Sequence, residues 1–96
     1  MIGKYVIVRT YSAGCFAGVL ERRDGKEVEL SSARRMWYWS GASCLSALAE
    51  IGTTQPTLCK FPEPVSIAIL TEAIEILQVS KVARESIEGV PVWQTK

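Results

Sequence analysis

Two tight-loop signals within the first thirty residues constrain this chain more than any other feature. The segment "KYVIVRTY" (4–11) is β-branched and aromatic and reads as a strand. Ser12-Ala13-Gly14 has the length and the glycine of a hairpin loop, and "CFAGVLERR" resumes an extended pattern from Cys15 to about Arg22. Asp24-Gly25 then stands between alternating segments, a strong short-range hairpin signal. Strands joined by such short loops pair antiparallel, so this part of the chain must be a meander. Along the first strand Val6, Val8 and Thr10 point one way, and Tyr5, Ile7, Arg9 and Tyr11 the other. Gly18, in the middle of the second, predicts a bulge or a close backbone approach. Val28 and Leu30 alternate with Glu27 and Glu29, as in a half-buried third strand. "ARRMWYW" (33–39), after a short Ser31-Ser32 link, reads as a fourth.

The pattern changes at Ser40-Gly41. Ala42, Leu45, Leu48 and Ala49 recur at helical spacing with Gly52 beyond them, which predicts a short helix from about Ser43 to Ile51. "TTQPTLCKFPEP" holds three of the four prolines and is a loop long enough to be functional. "VSIAILTEAIEILQVS" mixes helix formers with β-branched residues. A strand is expected over about Ile74 to Val79, with a strand or irregular segment before it. "SKVARESIEG" opens on a serine N-cap and closes on Gly89, with Val82, Ala83 and Ile87 on one face: a second short helix. Trp93, in the tail, is expected to pack on its own body or on a neighbouring subunit. Together these elements predict one α+β domain over residues 1–96. It is a strongly bent antiparallel sheet, or partial barrel, of about five strands with two short helices.

Composition narrows the function. The formal net charge is +1, which disfavours general nucleic-acid binding. Histidine is absent, which removes the commonest general acid/base and a common metal ligand. Cys15, Cys44 and Cys59 match no zinc spacing and are expected to be reduced cytoplasmic thiols. The N-terminus lacks the apolar core of a secretory leader, and no run approaches the length of a membrane span. Asp24, the one aspartate, is explained by its turn. Glu50, Glu63, Glu72 and Glu75 are scattered and form no paired-carboxylate pattern. No cofactor motif is present, and the chain is not expected to be an enzyme. Apolar residues make up 48% of the chain, and a domain this small buries a modest core, so homo-oligomerisation is expected.

The stretches "VIVRTYSAG" (6–14), "DGKEVEL" (24–30), "ARRMWYWSGA" (33–42) and "LTEAIEILQVS" (70–80) span most of the chain. On them the chain resembles a family of small proteins of unknown function from tailed phages and prophages. Where this chain has Cys15 the family pattern is aliphatic, so no chemistry is assigned to that thiol. The resemblance implies a phage gene product acting in the cytoplasm of an infected bacterium. It supplies no activity.

The residues with most binding potential lie in the fourth segment. In a strand, Arg35, Trp37 and Trp39 share one face, and Arg34, Met36 and Tyr38 the other. Two indoles and an arginine can stack a base and hold a phosphate, stacking alone being worth roughly 1–3 kcal/mol. Alternatively, one face is core and the arginines line its rim. Arg9, Tyr11 and Ser12 end the first strand beside a small-residue loop and could join Arg35 if the first and fourth strands lie close. Lys60 and Phe61 could form a lid. The first function expected is capture of a nucleotide-derived immune signal, a cyclic ADP-ribose isomer or cyclic oligonucleotide, which would blunt a bacterial defence. Trp37 or Trp39 would stack the base, Arg9 and Arg35 hold phosphates, and Tyr11 and Ser12 bond ribose, with Arg34 and Lys60 nearby. The second is a protein–protein interaction module, since Trp, Tyr and Arg are also hot-spot residues. A concave pocket with converging arginines would favour the first, and an exposed patch with outward tryptophans the second.

Overall fold

The computed structural model describes residues 1–94. Five strands are present: β1 Tyr5–Thr10, β2 Cys15–Asp24, β3 Glu27–Arg35, β4 Val65–Leu70 and β5 Ala73–Gln78. Two helices, α1 Leu45–Ile51 and α2 Lys81–Glu88, and a short 3-10 turn at Pro56–Leu58 complete the elements among the described residues. The strands form one antiparallel sheet in the order β4-β3-β2-β1-β5. This is the α+β architecture expected from the sequence.

One connection forces the sheet to curl. β4 and β5 lie at opposite edges, yet only Thr71 and Glu72 separate them in sequence. Three peptide links reach about 11 Å, whereas five flat strands would set their edges about 19 Å apart. The sheet therefore wraps into an open partial barrel whose ends meet at this turn. Two hydrogen bonds fasten it: the Ala73 N–H donates to the Lys26 carbonyl (3.0 Å) and the Tyr11 N–H to the Glu72 carbonyl (2.9 Å).

Curling creates two cores. Val6, Val8, Phe16, Leu20, Val28, Leu30, Ala33 and Leu70 fill the inside of the curl. Tyr5, Ile7, Ala17, Met36, Leu48, Phe61, Ala83 and Ile87 form a second core between the sheet's outer surface and the helices. β1 belongs to both, so Tyr5 through Val8 are all buried, which accounts for its unbroken apolar run. Ser80 caps α2, its hydroxyl accepting from the Ala83 N–H (3.0 Å).

The expected fourth strand does not exist as a separate element. β3 runs through Ser31-Ser32 to Arg35, because that link is a bulge and not a turn. Val19 pairs with Ser31 and Ala17 with Arg34, so Ser32 and Ala33 together oppose Gly18. Ser32 adopts a φ of 47° there. The extra residue resets the alternation, so Leu30 and Ala33 both point into the curl. Gly18 is required by the same contact: a Cβ on it would lie 2.9 Å from the Ser31 carbonyl oxygen. Beyond Arg35 one more bond reaches β2, from the Met36 N–H to the Cys15 carbonyl (2.8 Å), and the chain then leaves the sheet and is held by an isolated bridge between Tyr38 and Lys60.

Candidate functional site

Where β3 ends, its aromatic continuation meets the proline-rich loop and the C-terminal tail. The Trp37 and Tyr38 N–H groups both point to the Lys60 carbonyl (3.2 and 3.4 Å), and the Lys60 N–H donates to the Tyr38 carbonyl (2.8 Å). One residue on, the Trp93 N–H donates to the Phe61 carbonyl (3.0 Å), and Phe61 bridges Val92. Three distant segments are thereby tied side by side. Their side chains form a cluster in which the Lys60 ammonium lies 5.4 Å from the Trp37 ring centroid, 5.7 Å from Trp93 and 5.9 Å from Tyr38. The two indoles are 4.9 Å apart and tilted by 41°.

The cluster is unusually open. Trp37 is 61% exposed and Tyr38 51%. Lys60 takes part in no ion pair among the described residues. An ammonium over aromatic faces is worth about 0.5–1 kcal/mol at an exposed site and more once desolvated, so a partner covering the cluster would strengthen it. The arrangement can offer flat apolar contact and one unpaired cation.

The other expected site residues are dispersed. Arg34 is 5% exposed, and its guanidinium donates to the carbonyls of Ile87 (2.9 Å), Phe61 (3.3 Å) and Pro62 (3.3 Å). Burial lowers its pKa, but an arginine stays charged, so its role is to tie the C-terminal end of α2 to the 61–62 loop. Met36 is buried beside it. Trp39 packs against the outer core and does not join the cluster. Phe61 is fully buried, so the Lys60–Phe61 lid is corrected: Phe61 could not swing open without opening the core.

Arg9 and Arg35 do not converge either. β2 lies between their strands. Arg9 pairs with Cys15, on the outer surface, whereas Arg35 pairs with Phe16, which points into the curl. Arg9 is ion-paired with Glu75 (3.0 Å), and the Ser12 hydroxyl donates to the Glu72 carboxylate (2.6 Å). Tyr11 is 78% exposed nearby. Arg35 lies over the Phe16 ring at 4.7 Å, at a hollow of about 500 Å3 walled by Ala33, Val65, Ala68 and Leu70.

The regrouping has a simple cause. Alternation assigned Trp37 and Tyr38 to opposite faces, but alternation holds only inside a ladder, and the ladder stops at Arg35. Trp93 was missed as a site residue because only the bridge from Phe61 to Val92 brings it close, and no local pattern encodes that contact. Among the described residues no cluster of potential metal ligands occurs, and no helix is long and apolar enough to cross a membrane.

No curated protein and no solved structure matches the chain. A family model does match residues 3–87, nearly the whole length, and on that match the chain belongs to the family described as a domain of unknown function, DUF6948.

Proposed function

We propose that the protein is a non-catalytic binding module that engages another protein through the Trp37–Tyr38–Lys60–Trp93 cluster. The observation that carries this is the exposure of Trp37 and Tyr38 around a lysine with no ion-pair partner among the described residues. Large aromatics left in water at the junction of three segments gain contact area only when a partner covers them. Such residues typically dominate interfaces, and the free ammonium favours a partner that presents a carboxylate. In the setting implied by the phage resemblance, that partner is a bacterial protein being inhibited or another phage factor.

The test compares wild type with Trp37→Ala and Lys60→Glu as bait for partners in bacterial lysate, then measures affinity for the partner captured. Truncating a central aromatic anchor costs about 2 kcal/mol or more, roughly 30-fold in Kd. Because these side chains are exposed, Tm should stay within a few degrees of wild type. A partner held equally by wild type and both variants would overturn the assignment.

Nucleotide-signal capture is supported by a different observation, the Arg35 guanidinium over Phe16 beside the 500 Å3 hollow. A ring lying against the apolar wall of the hollow with its phosphate on Arg35 would use both, with the Glu63 carboxylate in the same wall opposing the anion. A thermal-shift panel of ADP-ribose, its cyclic isomers and cyclic di- and trinucleotides tests it, with Arg35→Ala as control. At about 100 times Kd a ligand adds roughly 2.7 kcal/mol, several degrees for a domain this size. A shift that the variant loses supports signal capture. No shift with any compound removes it for that panel.

A further inference from the structure

One edge of the sheet is unprotected. Among the described residues β4 pairs only with β3, so along its other side alternate N–H and C=O groups have no strand to bond to. Edge strands are ordinarily defended by charge, by proline, by a bulge in the strand or by a covering element. The sequence VSIAIL of β4 contains neither a charge nor a proline, and its alternate residues Val65, Ile67 and Ile69 are 50, 53 and 54% exposed. The opposite edge is different. β5 carries Glu75, ion-paired with Arg9, and its ladder to β1 is broken by a register shift at Arg9/Thr10.

We propose that β4 is the self-association edge of the protein, pairing antiparallel with β4 of a second copy about a two-fold axis at Ile67. A two-fold pair sets each residue against one from the same segment, so it disfavours charge and rewards an apolar row of even spacing. Centred on Ile67, the pairing sets Ile67 against itself, Val65 against the partner's Ile69 and Ser66 against the partner's Ala68. Apolar meets apolar at each of these exposed positions, and no charge lies within the five paired residues 65–69. The flanking carboxylates select this register. Centring on Ser66 would set Glu63 against Ile69, and centring on Ala68 would set Glu72 against Pro64 and Thr71 against Val65. With Ile67 at the centre, about six inter-chain hydrogen bonds extend two five-stranded sheets into one. This edge is separate from the Trp37 cluster, so the two proposals stand or fall independently.

The experiment is sedimentation equilibrium on the full chain across the micromolar range, for wild type, Ile67→Lys, Ile67→Glu and an equimolar mixture of the two variants. Wild type is expected to dimerise. Each variant alone places like charges face to face and should weaken the dimer at least tenfold, and the mixture, which pairs Lys with Glu, should restore it. A monomeric wild type would overturn the proposal. So would single variants that dimerise as wild type does, or a mixture that stays monomeric while both variants keep wild-type circular dichroism and Tm. If either variant fails to fold, Ile67→Cys in a Cys44→Ser background decides: oxidation should link it into a dimer, and its failure to crosslink while Ile69→Cys links readily would overturn the register.

Discussion

Replacing Arg34 separates a structural role from a ligand-binding one. Its guanidinium is buried among the carbonyls of Phe61, Pro62 and Ile87, at the C-terminal end of α2, where carbonyls lack helical partners and the dipole favours a cation. Hydrogen bonds to a charged group contribute about 1.5–3 kcal/mol each when well formed. Two of the three are long, at 3.3 Å, so the set is worth less than the sum. Arg34→Ala also leaves a cavity, while the Phe61 and Ile87 carbonyls keep the N–H groups of Trp93 and Val90 as donors, and about 3–4 kcal/mol is expected to be lost, in the range for truncating a large buried side chain together with its hydrogen bonds. A domain of this size is stable by about 5–15 kcal/mol, and each kcal/mol shifts Tm by roughly 4–8 °C. The expected fall is therefore above about 12 °C. Arg34→Lys keeps the charge but cannot span three acceptors, and should fall between. Equilibrium urea unfolding, followed by tryptophan fluorescence, measures both. A loss below about 1 kcal/mol for Arg34→Ala would refute the clamp. Unchanged stability combined with lost binding would return Arg34 to the ligand-contacting set.

Two other expectations concern the cores. Burial, reinforced by Glu88 and opposed by Arg84 and Arg34, pushes the Tyr5 hydroxyl up to about 12 from 10. Because the folded state holds this proton more tightly than the unfolded chain, the stabilisation is complete below pH 10 and disappears between pH 10 and 12, by about 2–3 kcal/mol. Unfolding titrated across that window should show a steeper decline in wild type than in Tyr5→Phe, and equal slopes would contradict it. Gly18→Ala would press a methyl group onto the β3 backbone at Ser31 and Ala33. It should cost about 1–3 kcal/mol, read as a lower urea midpoint; an unchanged midpoint would mean that the strands have room to part.

What the sequence revealed depended on range. The hairpins at Ser12–Gly14 and Asp24–Gly25 and the cap at Ser80 are local signals, and they mark the elements correctly. Gly18 was legible as a close approach, but its counterpart, the bulge at Ser32, was not, because a serine carries no mark of the residue it will oppose across a ladder. The same limit explains the site. Trp37 and Lys60 stood out as residue types, whereas their meeting with Trp93 depends on a loop and a tail folding back onto one strand end. Arg34 and Arg35 are neighbours of one chemistry. One became a buried clamp and the other a surface cation because alternation in β3 gave them opposite faces.

The position of β1 has a consequence for synthesis on the ribosome. It lies between β2, available almost at once, and β5, which is finished only at Gln78. At about 5–20 residues per second, the interval from Asp24 to Gln78 takes roughly 3–10 seconds. Throughout that time one side of the most deeply buried strand waits unpaired. A nascent chain that stalled after β4 would display Val6, Ile7 and Val8 on an open edge. Chaperone contact during translation should therefore concentrate on the N-terminus and cease when the last strand emerges.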